Sequence, residues 1–174
     1  AQTIKENMEL KPERSHNINL NALHTLERGN QRLTSSVGAF YRNVKDIIFL
    51  QLDIPFSRYI NYNQSRILGM EAEVNYQPAR ALDFGGNVTY QDIRRINVEA
   101  LFRQAEGSRV PNQPFFFGNL WANAHVPNLA RQGDRLSVNW NAQYTHRFYL
   151  LSIPRSQEPG LWQKVPDFQS SMVI

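Results

Sequence analysis

Apolar and polar residues alternate along most of this chain with a period of two. The stretch "RLSVNWNAQYTHRF" (135–148) shows the pattern well: Leu136, Val138, Trp140, Ala142, Tyr144 and Phe148 interleave with Ser137, Asn139, Asn141, Gln143, Thr145 and Arg147. Such a period predicts a β-strand with one apolar and one polar face. Six further segments follow the same rule. In 15–27, Ile18, Leu20, Ala22 and Leu26 oppose Asn17, Asn19 and Asn21, and in 31–49, Leu33, Val37, Ala39 and Tyr41 oppose Arg32, Thr34, Ser36 and Gly38, with Phe40 off pattern. Segments 66–77, 81–93 and 114–127 repeat the alternation, and a seventh strand begins at Asp167. Helical spacing is scarce; "VEALFRQAEG" (98–107) suits a short loop helix ending at Gly107.

The connections sort by length. "ERGNQR", "QPARA" and "NLARQGD" are short and carry turn residues, whereas 50–65, 94–113 and 150–166 are long and rich in Arg, Gln and Pro. Short and long alternate strictly. An up-and-down antiparallel meander places all the short turns at one end and all the long loops at the other, which is the asymmetry of outer-membrane barrels. The predicted fold class is therefore all-β: an antiparallel meander of about seven strands forming part of a larger transmembrane β-barrel.

Composition narrows the choice of solvent for each face. The longest fully apolar run is "IIFL" at 47–50, far short of the ~20 residues of a membrane-spanning helix, but barrel strands alternate and escape such a test. Cysteine is absent, which excludes disulfides and thiolate metal sites. The formal charge is +4, and its Arg-rich cations are dispersed rather than gathered into a nucleic-acid stripe. Asn and Gln together number 30, many at every second position of a strand, so the polar face is mostly neutral. The competing arrangement is a soluble β-sandwich, such as a lectin-type carbohydrate-binding module, in which the apolar face meets a second sheet. Strands this long, against ~5–6 residues in globular sheets, and aromatics near strand ends (Tyr76, Tyr90, Phe148, Tyr149) favour the membrane barrel.

Four landmarks add a resemblance. "NMELKPERSHNINLNA" (7–22), "SRILGMEAEVNYQP" (65–78), "LDFGGNVTYQD" (82–92) and "RVPNQPFFFGNL" (109–120) resemble, in order and spacing, recurring barrel motifs of TonB-dependent outer-membrane receptors. The resemblance implies a transporter in the cell outer membrane of a Gram-negative bacterium. It would import a scarce bulky nutrient: an iron chelate or siderophore first, haem or a glycan otherwise. Implied partners are outer-membrane lipid and lipopolysaccharide, the nutrient ligand, and the TonB energy-coupling complex reached through an N-terminal part. No nucleic acid and no cofactor are implied. Residues 1–174 then read as a single partial barrel segment from the C-terminal half, without plug domain, TonB box or final strands. Its unpaired outer edges would allow copies to associate edge to edge.

Chemistry-bearing residues are few. Glu71 and Glu73 sit two apart on one strand face, ~6.5–7 Å from each other, a spacing that suits an inverting glycosidase pair, but on a barrel wall such carboxylates read as partners for Arg. His16, His24, His125 and His146 fall on three strands without metal-ligand spacing. Gly85-Gly86 marks a strand kink or close packing. No catalytic or metal residues are assigned, and the chain is expected not to be an enzyme. Arg94, Arg95, Arg103 and Arg109 cluster in one long loop; it reads first as a solvated loop whose charges Glu99 and Glu106 balance, and otherwise as a place for bidentate bonds to an anionic ligand or to lipopolysaccharide phosphates.

Overall fold

The computed structural model describes residues 3–51, 56–61, 64–97, 106–128, 130–150 and 167–173. These residues form β1 (Thr3–Lys5), β2 (Arg14–Arg28), β3 (Gln31–Lys45), β4 (Ile48–Gln51), β5 (Phe56–Asn61), β6 (Gln64–Ala79), β7 (Leu82–Ile96), β8 (Phe116–Pro127), β9 (Arg135–Thr145) and β10 (Asp167–Val173). Seven of them make one antiparallel sheet in the order β10-β9-β8-β7-β6-β3-β2. Within this sheet each strand pairs with the next of the seven along the chain, β4 and β5 standing outside it, so the meander read from the alternation is the one formed.

Register carries the sequence pattern across the whole sheet. Ala22, Val37, Ala72 and Val88 follow one another across β2, β3, β6 and β7. The next row in the same sense runs Val74, Gly86, Leu120 and Ala142 across β6, β7, β8 and β9. A slip of one residue within these rows would send the apolar side chains of that strand to the other face; the rows run unbroken, and the register shift between Tyr76 and Ala79 falls at the turn end of the β6–β7 ladder.

Among the described residues, nothing lies over the apolar face. Leu20 is 74% exposed, Met70 58% and Leu120 53%, and the only buried apolar side chains among the described residues are Ala142 and Tyr149. A soluble sandwich hides this face beneath a second sheet, and a monomeric soluble protein rarely leaves so large an apolar patch in water. The carbohydrate-binding sandwich is thus ruled out as the architecture.

The short connections agree with their turn chemistry. β2 and β3 join through Gly29 and Asn30, and Gly29 has φ +61°, the left-handed value that the first central residue of a II′ hairpin turn requires. Between β8 and β9, Asn128 at φ +56° starts the loop, and its side-chain Oδ1 accepts from the Gly133 amide at 2.8 Å.

The opposite end holds what the alternation did not reveal. The strand predicted over 31–49 stops at Lys45, because Asp46 adopts φ +57° and turns the chain. The 50–65 connection, expected to be a plain loop, contains the β4–β5 hairpin, and β1 pairs with β5 in parallel to complete a three-stranded sheet. Asn61 holds this unit together: its Oδ1 accepts from the Lys11 amide at 2.7 Å, and its Nδ2 donates to the Lys11 and Asp46 carbonyls at 2.8 Å each. The helix expected at 98–107 lies mostly outside the described residues; Glu106 and Gly107 form a turn.

Candidate functional site

The two faces of the seven-stranded sheet define the site. On the apolar face, aromatics stand in two bands. Tyr90, Phe116 and Tyr144 lie toward the long-loop end, with Phe116 edge-on to Tyr144 at 6.2 Å between ring centroids. Tyr76, Phe84 and Trp140 lie toward the short-turn end, with Tyr76 edge-on to Phe84 at 5.3 Å. Phe84 and Tyr90 share β7, ~20 Å apart by strand rise, close to the ~25 Å apolar band that outer-membrane barrels present between aromatic girdles. Amphipathic rings prefer that level because one edge stays apolar while the other reaches polar headgroups. Tyr149, counted from sequence among these ring positions, is instead buried, and its carbonyl accepts from the Asn112 amide at 2.8 Å.

The other face is lined by neutral amides and hydroxyls. In register across β3, β6, β7, β8 and β9 stand Ser36, Glu73, Asn87, Asn119 and Gln143, preceded by the row Gly38, Glu71, Thr89, Phe117 and Thr145. Cross-strand bonds knit it: the Asn119 amide donates to Asn87 Oδ1 at 3.0 Å, Asn123 Nδ2 to Asp83 Oδ2 at 2.8 Å, and Arg42 Nε to Asn17 Oδ1 at 2.8 Å. Glu71 and Glu73 share this wall but oppose different partners, Gly38 and Ser36. No group of three or more His, Asp or Glu among the described residues is arranged to hold a metal ion.

Two of the aromatic rings on this wall lie against a glycine that makes room for them. Phe40 lies across Gly69, where an added Cβ would run into its Cζ and Cε2 atoms. Trp121 lies across Gly85 in the same way. Phe40 was visible in the sequence only as a residue out of phase; the signal that explains it is a glycine on the neighbouring strand, legible once the register is known.

At the long-loop end, one row beyond Tyr90, the loop arginines are drawn together only in part. Arg94 Nε bonds both carboxylate oxygens of Asp92, at 2.9 and 3.0 Å, and Arg109 Nε reaches Asp92 Oδ1 at 3.1 Å. Arg94 Nη1 also donates to the Gly107 carbonyl at 2.8 Å. The Arg109 guanidinium sits 4.1 Å from the centre of the Phe115 ring, a cation–π arrangement. Their side chains are 14% (Arg94), 16% (Arg109) and 21% (Asp92) exposed, so two guanidinium groups converge on one partly buried carboxylate. Arg95 falls on the opposite face, in register with Ser65, and its amide donates to the Ser108 carbonyl at 3.1 Å. Arg103 lies outside the described residues. The Asp92 partner went unnoticed in sequence because Glu99 and Glu106, nearer in the loop, looked like the balancing charges.

The histidines occupy separate surroundings. His125 Nδ1 is 3.1 Å from Ser137 Oγ, and His146 Nδ1 is 2.9 Å from the Tyr144 hydroxyl. His146, just beyond the end of β9, has its pKa held below the usual imidazole value by burial and secondarily by the neighbouring Arg147 charge.

The comparisons agree with this geometry. No curated protein matches the chain. Among solved structures, the FrpB iron transporter from Neisseria meningitidis (F3-3 variant) superposes with a TM-score of 0.65 at 13% identity, over 98% of this chain and 25% of that one. At such identity the likeness is one of fold, and the chain spans a quarter of the FrpB length. The sequence profile described as "TonB dependent receptor-like, beta-barrel" matches residues 2–163. With an apolar girdled face, an amide-lined face and its turns and loops sorted to opposite ends, the chain belongs to the TonB-dependent receptor β-barrel family, whose members are receptors and transporters of the outer membrane.

Proposed function

We propose that this chain is barrel wall of an outer-membrane transporter that imports a scarce bulky nutrient, an iron chelate before haem or a glycan, driven by the TonB complex. In this reading the apolar face meets lipid and the amide-lined face borders the aqueous bore. The observation that carries it is the uncovered apolar face bounded by two aromatic bands. The fold shared with an iron transporter supports the choice of cargo. The parent protein would supply a plug domain, a TonB box and the remaining strands. The chain itself would perform no bond chemistry.

Arg94 and Arg109, gathered on Asp92, sit just beyond the apolar band on the lipid side, where a lipopolysaccharide phosphate would meet them, while Arg95, on the bore side, and Arg103 would meet an anionic ligand. Bidentate guanidinium bonds to phosphate are short and charge-assisted. The test is uptake of radio-iron chelates by cells carrying the full-length parent, with and without TonB. Uptake lost with TonB, together with slower gel migration of the purified parent after boiling, supports the proposal. A parent that stays dispersed and monomeric without detergent overturns it.

A further inference from the structure

We propose that Phe40, with Asn19, Asn21, Arg42 and Glu71, forms a subsite for a six-membered ring bearing neighbouring hydroxyl groups. The proposal rests on the reading of the amide-lined face as the bore. Because Gly69 has no side chain, the Phe40 ring packs directly against β6, and with Asn19, Asn21, Arg42 and Glu71 it lines one cavity. A second glycine does the same for the polar groups: a Cβ on Gly38 would meet Asn21 Oδ1, and Glu71 Cγ and Oε1 at 3.0 Å. The amide of Asn21 and the carboxylate of Glu71 therefore converge over Gly38, next to the ring along β3. Asn19 is in register with Phe40 and completes the rim. Arg42 donates its Nε–H to Asn17 Oδ1 at 2.8 Å.

A covering role for Phe40 explains one glycine but not the second, over which two polar side chains meet. The combination selects its ligand by chemistry. A flat aromatic face stacks on the apolar face of a ring, a carboxylate accepts two O–H bonds, and amides both donate and accept. A free phosphate would face the Glu71 charge, and an alkyl chain would strip water from amides without replacing their hydrogen bonds. A ring with adjacent hydroxyls satisfies every member. A pyranose and a catechol both have this chemistry.

The experiment uses the full-length receptor in detergent, with maltohexaose and 2,3-dihydroxybenzoate as probes and benzoate as the control without adjacent hydroxyls, read by calorimetry and saturation-transfer NMR. Saturable binding of maltohexaose identifies a pyranose site and of dihydroxybenzoate an aryl site, in each case with benzoate silent. Phe40→Leu and Glu71→Gln should each weaken that binding about fivefold or more, and Asn21→Ala serves if Phe40→Leu fails to fold. Absence of binding by both probes, or unchanged affinity in the variants, overturns the subsite. Labelling with a membrane-impermeant maleimide separates the two readings. Reaction at Asn21→Cys but not at Leu20→Cys shows the bore reading sound, so that missing binding then counts against the subsite alone. The reverse labelling removes both.

Discussion

Trp121 on β8 lies flat over Gly85 on β7, so close that a methyl group on Gly85 would stand 2.6 Å from the indole Cζ2 and would also strike the Val74 carbonyl. The ring has somewhere to swing, but the carbonyl belongs to the β6 backbone and does not. Gly85→Ala should therefore disturb the β6–β7 ladder rather than merely rotate a side chain. The expected result is a lower unfolding temperature and less folded receptor recovered from detergent refolding.

Neighbouring residues on one strand should tolerate the same charge very differently. Leu120 belongs to the exposed apolar face and Asn119 to the amide-lined face. Leu120→Arg should cost about 2–4 kcal/mol in a bilayer, the value for a cation near the midplane of a barrel's lipid side. Asn119→Arg should cost far less. Equilibrium unfolding in phospholipid vesicles measures both. Equal costs would show that the faces are assigned to the wrong solvents.

Asp92 concentrates the order of the long-loop end, since Arg94 and Arg109 both converge on it. Asp92→Asn removes the charge that two partly buried guanidinium groups share. A loss of about 1–3 kcal/mol is expected, the scale of a hydrogen bond to a charged group. Protease cleavage should rise within 97–115 while the β6–β7 ladder stays protected from hydrogen exchange.

Asn61 works by imitating a backbone amide, accepting from one peptide group and donating to two. Asn61→Asp keeps the acceptor for the Lys11 amide but loses both donations and places a carboxylate against two carbonyls. Faster hydrogen exchange at β4, β5 and Lys11, with β2 and β3 unaffected, is the expected outcome.

His146 links the loop end to pH. Its pKa is depressed in the folded chain, by burial first and by Arg147 second. The unfolded chain therefore binds the proton more readily, so the stability contribution is present above the ordinary imidazole pKa of about 6.5 and is lost as pH falls through the lower, folded value. An NMR titration should place the His146 pKa below the ordinary imidazole value. Arg147→Gln should raise the His146 value without restoring it fully, because burial remains.

Much of the architecture was legible in the residues themselves. Leu136 to Tyr144 alternate without a fault, and in an antiparallel meander alternation is enough to assign each side chain to a face, whatever lies beyond. The sorting of "ERGNQR" against 94–113 gave the meander its two ends for the same local reason: Gly, Asn and Pro have conformational preferences that act over a few residues. Distance defeated the rest. Phe40 and Gly69 are far apart in sequence, as are Asp92 and Arg109, Asn61 and Lys11. No local preference couples such positions, and only the pairing of strands sets them beside one another.

By itself, then, the sequence determined which residues share a face and where the chain reverses, because both follow from backbone geometry within a few positions. Tertiary structure decided that no second layer of the described residues covers the apolar face, that the chain breaks at Asp46 to build a separate sheet, and that two of the loop arginines embrace a carboxylate. Those outcomes depend on which strands become neighbours, and register across a sheet is a property of the assembled chain.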